Sequence, residues 1–214
     1  MLKNQQLYQQ LKQDIQLQRW APGQVLTQQQ LAQHYAVSRI VVRDVQHALM
    51  NDGWLMAHGK AGMQVPGYSA SDAEELGMLR LQLEPLALNL AAANLSFSQL
   101  GQAEDLLRYI AANTELAPYQ RGELNWQFHR LLYQSCGKPH LLRLLDQLHQ
   151  QVSRYLGYQE QALAYTDTSA AEHAELLRLL RQGNTYQACE LLTRHIAAAG
   201  NLLVQLLQKQ QGAR

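Results

Sequence analysis

Only one stretch of this 214-residue chain reads as β structure, and that scarcity constrains the fold more than any other feature. Trp54-Leu55-Met56-Ala57 and Met63-Gln64-Val65 are short apolar runs, and His58-Gly59-Lys60-Ala61-Gly62 between them is a glycine-containing reversal. That is the pattern of a two-stranded hairpin. Elsewhere, apolar residues recur at helical spacing between turn signals. Leu7, Leu11 and Ile15, with Tyr8 alongside, predict a first helix that Ala21-Pro22-Gly23 stops. Thr27 caps a short second helix containing Leu31 and Tyr35. Ala36-Val37 make a tight connection, and Ser38 caps a third helix. That helix turns Val41, Val42, Val45, Leu49 and Met50 inward and ends at Asn51-Asp52-Gly53. Three helices followed by a two-stranded wing, in under 70 residues, form the pattern of a winged helix-turn-helix.

Pro66-Gly67-Tyr68-Ser69 reads as a linker, placing one domain at 1–68 and a second at 69–214. From Ser71 onward the pattern is helical, with six helices expected near 72–93, 97–115, 117–136, 138–163, 168–182 and 184–209. Leu141, Leu144, Leu145 and Leu148 form a core stripe, as in an antiparallel all-α bundle. The fold class is therefore mainly α. Charged residues make up only 16% of the chain, and glutamine, a good helix former, takes their place. The net charge of +1 divides unevenly. Residues 1–68 hold six basic and three acidic side chains, and the remainder holds twelve and fourteen. The excess of positive charge lies where a DNA-binding domain needs it. No run approaches the roughly 18 apolar residues of a membrane span, and MLKNQQLYQQ has no apolar signal core. Cys136 and Cys189 lack redox or metal spacing and read as small buried apolar residues. A cytoplasmic protein with no membrane partner is expected.

Arg39 and Arg43 are four apart and share a helical face. Arginine reads a guanine edge bidentately or clamps a phosphate. The Ser38 hydroxyl and the helix N-terminal amides suit a phosphate oxygen. His47 faces the side of Arg43. His58, Gly59, Lys60 and Gly62 occupy the wing tip, where a minor groove would receive them. Two arginines on an arbitrary helix are more often a solvated pair, and the order of elements is what favours DNA here. Gln28, Gln29, Gln30 and Gln33 read as ordinary surface in so glutamine-rich a chain.

In the second domain, Asn125 and His129 share a helical face, while His173 and His195 come from separate helices with apolar neighbours. Three converging imidazoles suit Zn²⁺, Ni²⁺ or a related divalent ion, with a water or a metabolite carboxylate completing the shell. Spacing alone equally fits unrelated helix histidines. Arg80, four residues before Glu84, is either the anchor for an acidic effector or half of an internal ion pair. Arg154, Tyr155 and Tyr158 are further cavity candidates. Trp126 and Phe128 read as core, His140 and His149 as surface.

Leu17-Gln18-Arg19-Trp20-Ala21-Pro22-Gly23-Gln24-Val25-Leu26, Gln30-Leu31-Ala32, Val37 to Val45 and Asp52-Gly53-Trp54-Leu55 together resemble the GntR family of regulators. Arg80 to Ala87, Asn125 to Leu132, Glu172 to Leu177 and Arg194-His195-Ile196 resemble the FadR-type C-terminal domain, in its smaller, VanR-like branch. The resemblance implies that Arg39 and Arg43 read or brace an operator, with Ser38 on the backbone and Gly59 or Gly62 in the wing. It implies a shared metal site at Asn125, His129, His173 and His195, and a small carboxylate effector. A homodimer on a palindromic double-stranded operator is also expected. Three positions depart from the family pattern: Ile40-Val41 stand where Thr-Pro is usual, Gln29 where an arginine is common, and Asn125 where aspartate is usual. The neutral Asn125 keeps open an effector-independent regulator whose pocket has lost metal. A three-histidine hydrolase is disfavoured, because no positioned base or nucleophile accompanies the histidines, and the chain is not expected to be an enzyme.

Overall fold

The computed structural model describes residues 2–59, 62–162 and 166–212. The chain divides into two compact units, Met1–Tyr68 and Ser69–Arg214.

In the first unit, α1 (Leu2–Gln16) leads to β1 (Val25–Thr27), α2 (Gln28–His34), α3 (Arg39–Asn51) and a hairpin of β2 (Met56–His58) and β3 (Gly62–Gln64). Both caps form through hydroxyl oxygens. Thr27 accepts from the Gln30 amide at 3.2 Å and Ser38 from the Val41 amide at 3.3 Å. The hairpin forms and gains a third strand, giving the antiparallel order β1-β3-β2. Thr27 both ends β1 and caps α2, so a three-residue strand hides inside a helix-start signal. Thr27 pairs with Gly62, where a β-carbon would stand 2.9 Å from Val25 Cγ1. Gly62 is thus required by sheet packing. Gly59 has a different reason to be glycine, a left-handed φ of +56° at the turn.

Leu11, Leu26, Leu31, Val42, Val45, Leu49 and Trp54 form the centre of this unit's core. Val41 and Met50 are only partly buried. Gln46 takes an inward position instead, donating from Nε2 to the Leu26 carbonyl at 3.0 Å, which ties α3 to β1. Asp14 is almost wholly buried. It accepts hydrogen bonds from Arg19 at 2.6 Å and from the Tyr35 hydroxyl at 2.7 Å, and that hydroxyl accepts from Trp20 Nε1 at 2.8 Å. A buried carboxylate with such partners is satisfied rather than costly.

Among the described residues, the second unit is a bundle of six α-helices: α4 (Ala70–Ala92), α5 (Phe97–Ala112), α6 (Pro118–Tyr133), α7 (Pro139–Ala162), α8 (Thr166–Arg181) and α9 (Thr185–Gly212). A short 3₁₀ turn, Gln134–Cys136, follows α6. Ala87, Leu88, Phe128, Leu132, Tyr133, Leu145, Leu192 and Ile196 fill its centre. Leu145 and Leu148 lie in the core, but Leu144 is 53% exposed, because the buried face of α7 is narrower than the leucine run. Cys136 is buried and Cys189 half-buried. Among the described residues, no helix is long and apolar enough to cross a membrane.

Candidate metal centre and DNA-reading surface

His129 on α6, His173 on α8 and His195 on α9 converge, with one ring nitrogen from each lying within 4.8 Å of the others. All three are buried. Each helix turns an otherwise apolar face inward, so the histidines are carried to one point by the same periodicity that builds the core. The hydrogen bonds fix which nitrogen faces the centre. Tyr133 has one hydroxyl proton, and it donates this to Glu84 Oε2 at 2.7 Å. His129 Nδ1, 3.2 Å from the same oxygen, must therefore be the donor in that contact. His129 Nε2 is left bare, buried and without a hydrogen-bond partner. His195 Nδ1 stands 2.6 Å from Glu172 Oε2, which directs its Nε2 inward. His173 Nε2 lies 3.3 Å from His195 Nε2.

This arrangement fits a divalent ion. Two imidazole nitrogens sharing a tetrahedral zinc at about 2.0–2.1 Å stand about 3.3–3.4 Å apart. An unpartnered buried acceptor is costly unless something occupies it. The electrostatics agree. Burial, reinforced by His173, His195 and Arg80, pushes the His129 pKa well below its ordinary value. Burial and His195 bring His173 down to about 3. Burial also lowers His195, although the Glu172 carboxylate opposes it. Neutral imidazoles are the ligating form.

His173 and His195 form part of the lining of a cavity of about 980 Å³, together with Asn125, Arg80, Ser169 and Arg121. Arg80 is an ion-pair partner as well: its Nε donates to Glu84 Oε1 at 2.6 Å. Burial works against the Arg80 charge, but Glu84 more than offsets it, and its pKa stays raised. A smaller compartment adjoins at Arg80 and Ala199, and Tyr155 lines it beside Val152 and Gly200. Arg154 lies outside the lining of both spaces. It is buried, with Nε and Nη1 lacking hydrogen-bond partners and its guanidinium 5.4 Å from the Tyr155 ring centroid. The Tyr158 side chain lies outside the described residues.

His149, expected on the surface, is buried and stacks on Trp126 at 4.3 Å and 7°. Leu145, Leu148 and Val152 put its face of α7 into the core. His140 is exposed, Phe128 fully buried and Trp126 partly buried. The sequence pattern assigns no separate role to Glu172 or to Tyr133. Both orient the histidines. Glu172 carries a signal of sorts, as it directly precedes His173, but its partner His195 is 23 residues away.

In the first unit, Ser38, Arg39, Arg43 and His47 are all exposed along the outer side of α3. Arg43 pairs loosely with Asp44 at 3.6 Å. His58 and Gly59 are exposed at the wing, Gly62 is tucked against β1, and Lys60 lies outside the described residues.

A winged helix-turn-helix joined to a histidine-centred helical bundle defines a DNA-binding regulator with a sensory domain. The chain belongs to the bacterial regulatory proteins of the gntR family, matched over residues 3–65, and carries an FCD domain, matched over residues 75–198. Proteins of this family are transcription regulators rather than enzymes. They bind DNA operators, and their FCD domains bind small-molecule effectors and often metals. The chain is 29% identical over 196 residues to the uncharacterized HTH-type transcriptional regulator YdhC of Bacillus subtilis, covering 89% of this chain and 86% of that one. Its fold matches a transcriptional regulator GntR from Rhodococcus with a TM-score of 0.79 at 20% identity, over 96% of this chain and 99% of the other. It also matches McbR/YncC of E. coli with a TM-score of 0.74 at 21% identity, over 97% and 98%.

Proposed function

We propose that this regulator's operator binding is controlled by a small carboxylate-bearing metabolite held in the helical unit beside a divalent metal. The buried, unpartnered His129 Nε2, aimed at the facing nitrogens of His173 and His195, carries this reading. His129, His173 and His195 would hold the ion, with the Asn125 amide oxygen as a further donor. When bound, the metal supplies a Lewis-acidic anchor for a carboxylate. Arg80, on the wall of the same cavity, supplies a fixed positive charge for the rest of an anionic ligand. Tyr155, in the adjoining compartment, places its hydroxyl 3.5 Å from the Ser69 amide, where the second unit begins. Arg154 is the remaining effector candidate, through its unpartnered guanidinium nitrogens.

On the DNA side, Ser38 would contact the backbone and Arg39 and Arg43 the major groove, with His58, Gly59, Lys60 and Gly62 in the wing. A homodimer would present two such helices to a palindromic operator. The metabolite acts only if it binds one arrangement of the units better than another.

Operator DNA selected from a random pool, titrated with and without Zn²⁺ or Ni²⁺ and a panel of carboxylic acids, tests the proposal. The expected result is an operator affinity that shifts with one acid and only in metal-loaded protein. Binding unchanged by every acid, in protein that retains no metal, establishes the effector-independent reading that the neutral Asn125 supports.

A further inference from the structure

Ile40 is 66% exposed in the first turn of α3. The buried residues of this helix are Val42, Val45, Gln46 and Leu49. Ile40 points away from them. It shares a stripe with Arg43, Asp44 and His47, at the i, i+3, i+4 and i+7 positions that line up along one face. Every other member of that stripe is charged or polar and exposed. The fold gives no reason for isoleucine here. The side chain joins no core, and a β-branched residue forms helix less readily than the straight-chain polar residues that fill other outer positions. A single exposed apolar residue needs no explanation on an arbitrary surface. This one stands in the first turn of the helix that presents Ser38, Arg39 and Arg43.

The major-groove edge of DNA offers one apolar feature, the thymine C5-methyl group. We propose that Ile40 is a specificity-determining residue that reads a thymine methyl in the operator. Side chains three apart on a helix are about 5–6 Å apart, and bases on one strand rise about 3.4 Å per step. The thymine therefore lies within about two base pairs of the base or phosphate that Arg43 engages. The aliphatic branch packs on the methyl and excludes water, so cytosine at that position, which has no methyl, is discriminated against.

The inference rests on α3 being the element that enters the major groove, and the experiment separates the two. Operator DNA is selected from a random pool with the full-length protein. Each thymine is then replaced singly by deoxyuridine, which removes only the methyl. Affinities are measured at fixed salt by fluorescence anisotropy for the wild type, Ile40→Ala, Arg39→Ala and Arg43→Ala. For the wild type, one deoxyuridine substitution weakens binding about three- to fivefold, the worth of one methyl kept from water. Ile40→Ala binds the natural operator more weakly and is insensitive to that same substitution. Replacing the thymine by 5-methylcytosine preserves more wild-type affinity than cytosine does. A wild type indifferent to every deoxyuridine, or an Ile40→Ala variant with unchanged methyl sensitivity, overturns the proposal while leaving α3 as the reading helix. Unchanged binding in both arginine variants overturns the placement of α3 itself, and the proposal with it. Ile40 touches no core, so Ile40→Ala retains the wild-type melting temperature, which a thermal melt verifies.

Discussion

Replacing Glu172 by glutamine isolates what a carboxylate behind a histidine of the proposed metal site contributes. Glu172 Oε2 lies 2.6 Å from His195 Nδ1, and its side chain is 26% exposed while that of His195 is 7% exposed. The amide oxygen of glutamine still accepts the Nδ1 proton, so the tautomer that turns Nε2 inward survives. Only the negative charge is lost. Partners of this kind are worth about 10- to 100-fold in metal affinity, which is about 1.4–2.7 kcal/mol. The partial exposure of Glu172 places the effect in the lower half of that range, because water screens one side of the pair. Zn²⁺ affinity falls about 10- to 30-fold in Glu172→Gln. It falls further in Glu172→Ala, where the Glu172 acceptor is lost together with its charge. Competition against a chromophoric chelator at neutral pH measures this directly, with circular dichroism melting to establish that the variants fold. A Glu172→Gln affinity within twofold of wild type refutes the reasoning about the carboxylate, and a wild type that takes up no divalent ion refutes the proposed site.

Other perturbations have equally definite outcomes. Asn125→Asp adds a negative charge to the proposed donor set of neutral groups, so divalent-metal affinity rises in the same competition assay. In the metal-free protein, lowering the pH from 6.5 to 5.5 destabilises the helical unit by about 1 kcal/mol for each of His129 and His173 and by less for His195. The folded-state pKa values of His129, His173 and His195 are depressed, that of His173 to about 3, so the unfolded chain takes up more protons than the folded one in that window and stability is lost as pH falls. Chemical denaturation at the two pH values tests this, and a flat response rules it out. Gly62→Ala drives a β-carbon into Val25 Cγ1 and costs about 1–3 kcal/mol in the DNA-binding unit, most of which Val25→Ala restores in the double variant. Arg43→Ala weakens operator binding. A salt slope reduced by about one assigns the side chain to a phosphate, and a lost preference at one guanine assigns it to a base.

The parts of this molecule that sequence reveals are those set by neighbours within one turn or one strand. Ser38 and Thr27 cap helices three residues away, and the six helices of the second unit follow the spacing of their leucines and alanines. Strand β1 is not legible because three residues carry no period and Thr27 also serves as the N-cap of α2. His149 escaped because its stacking partner, Trp126, lies on another helix, and a histidine's own neighbours do not tell whether an aromatic ring waits across the bundle. The site divides in the same way. The three converging histidines are visible as residue types in apolar contexts, whereas the contacts that fix their tautomers depend on pairings over long separations. Tyr133 reaches Glu84 across 49 residues, and Glu172 reaches His195 across 23. Glu84 is the clearest case. Four residues from Arg80, it reads as half of a local ion pair, and it is one. Its other oxygen receives the Tyr133 proton, so the same carboxylate that holds Arg80 against the cavity wall also obliges His129 to keep its proton on Nδ1. Removing the Glu84 charge would free the Arg80 guanidinium and the His129 tautomer together. Arg80 and His129 are therefore coupled through one buried side chain, and an anionic ligand that draws Arg80 away from Glu84 acts on the orientation of His129 as well.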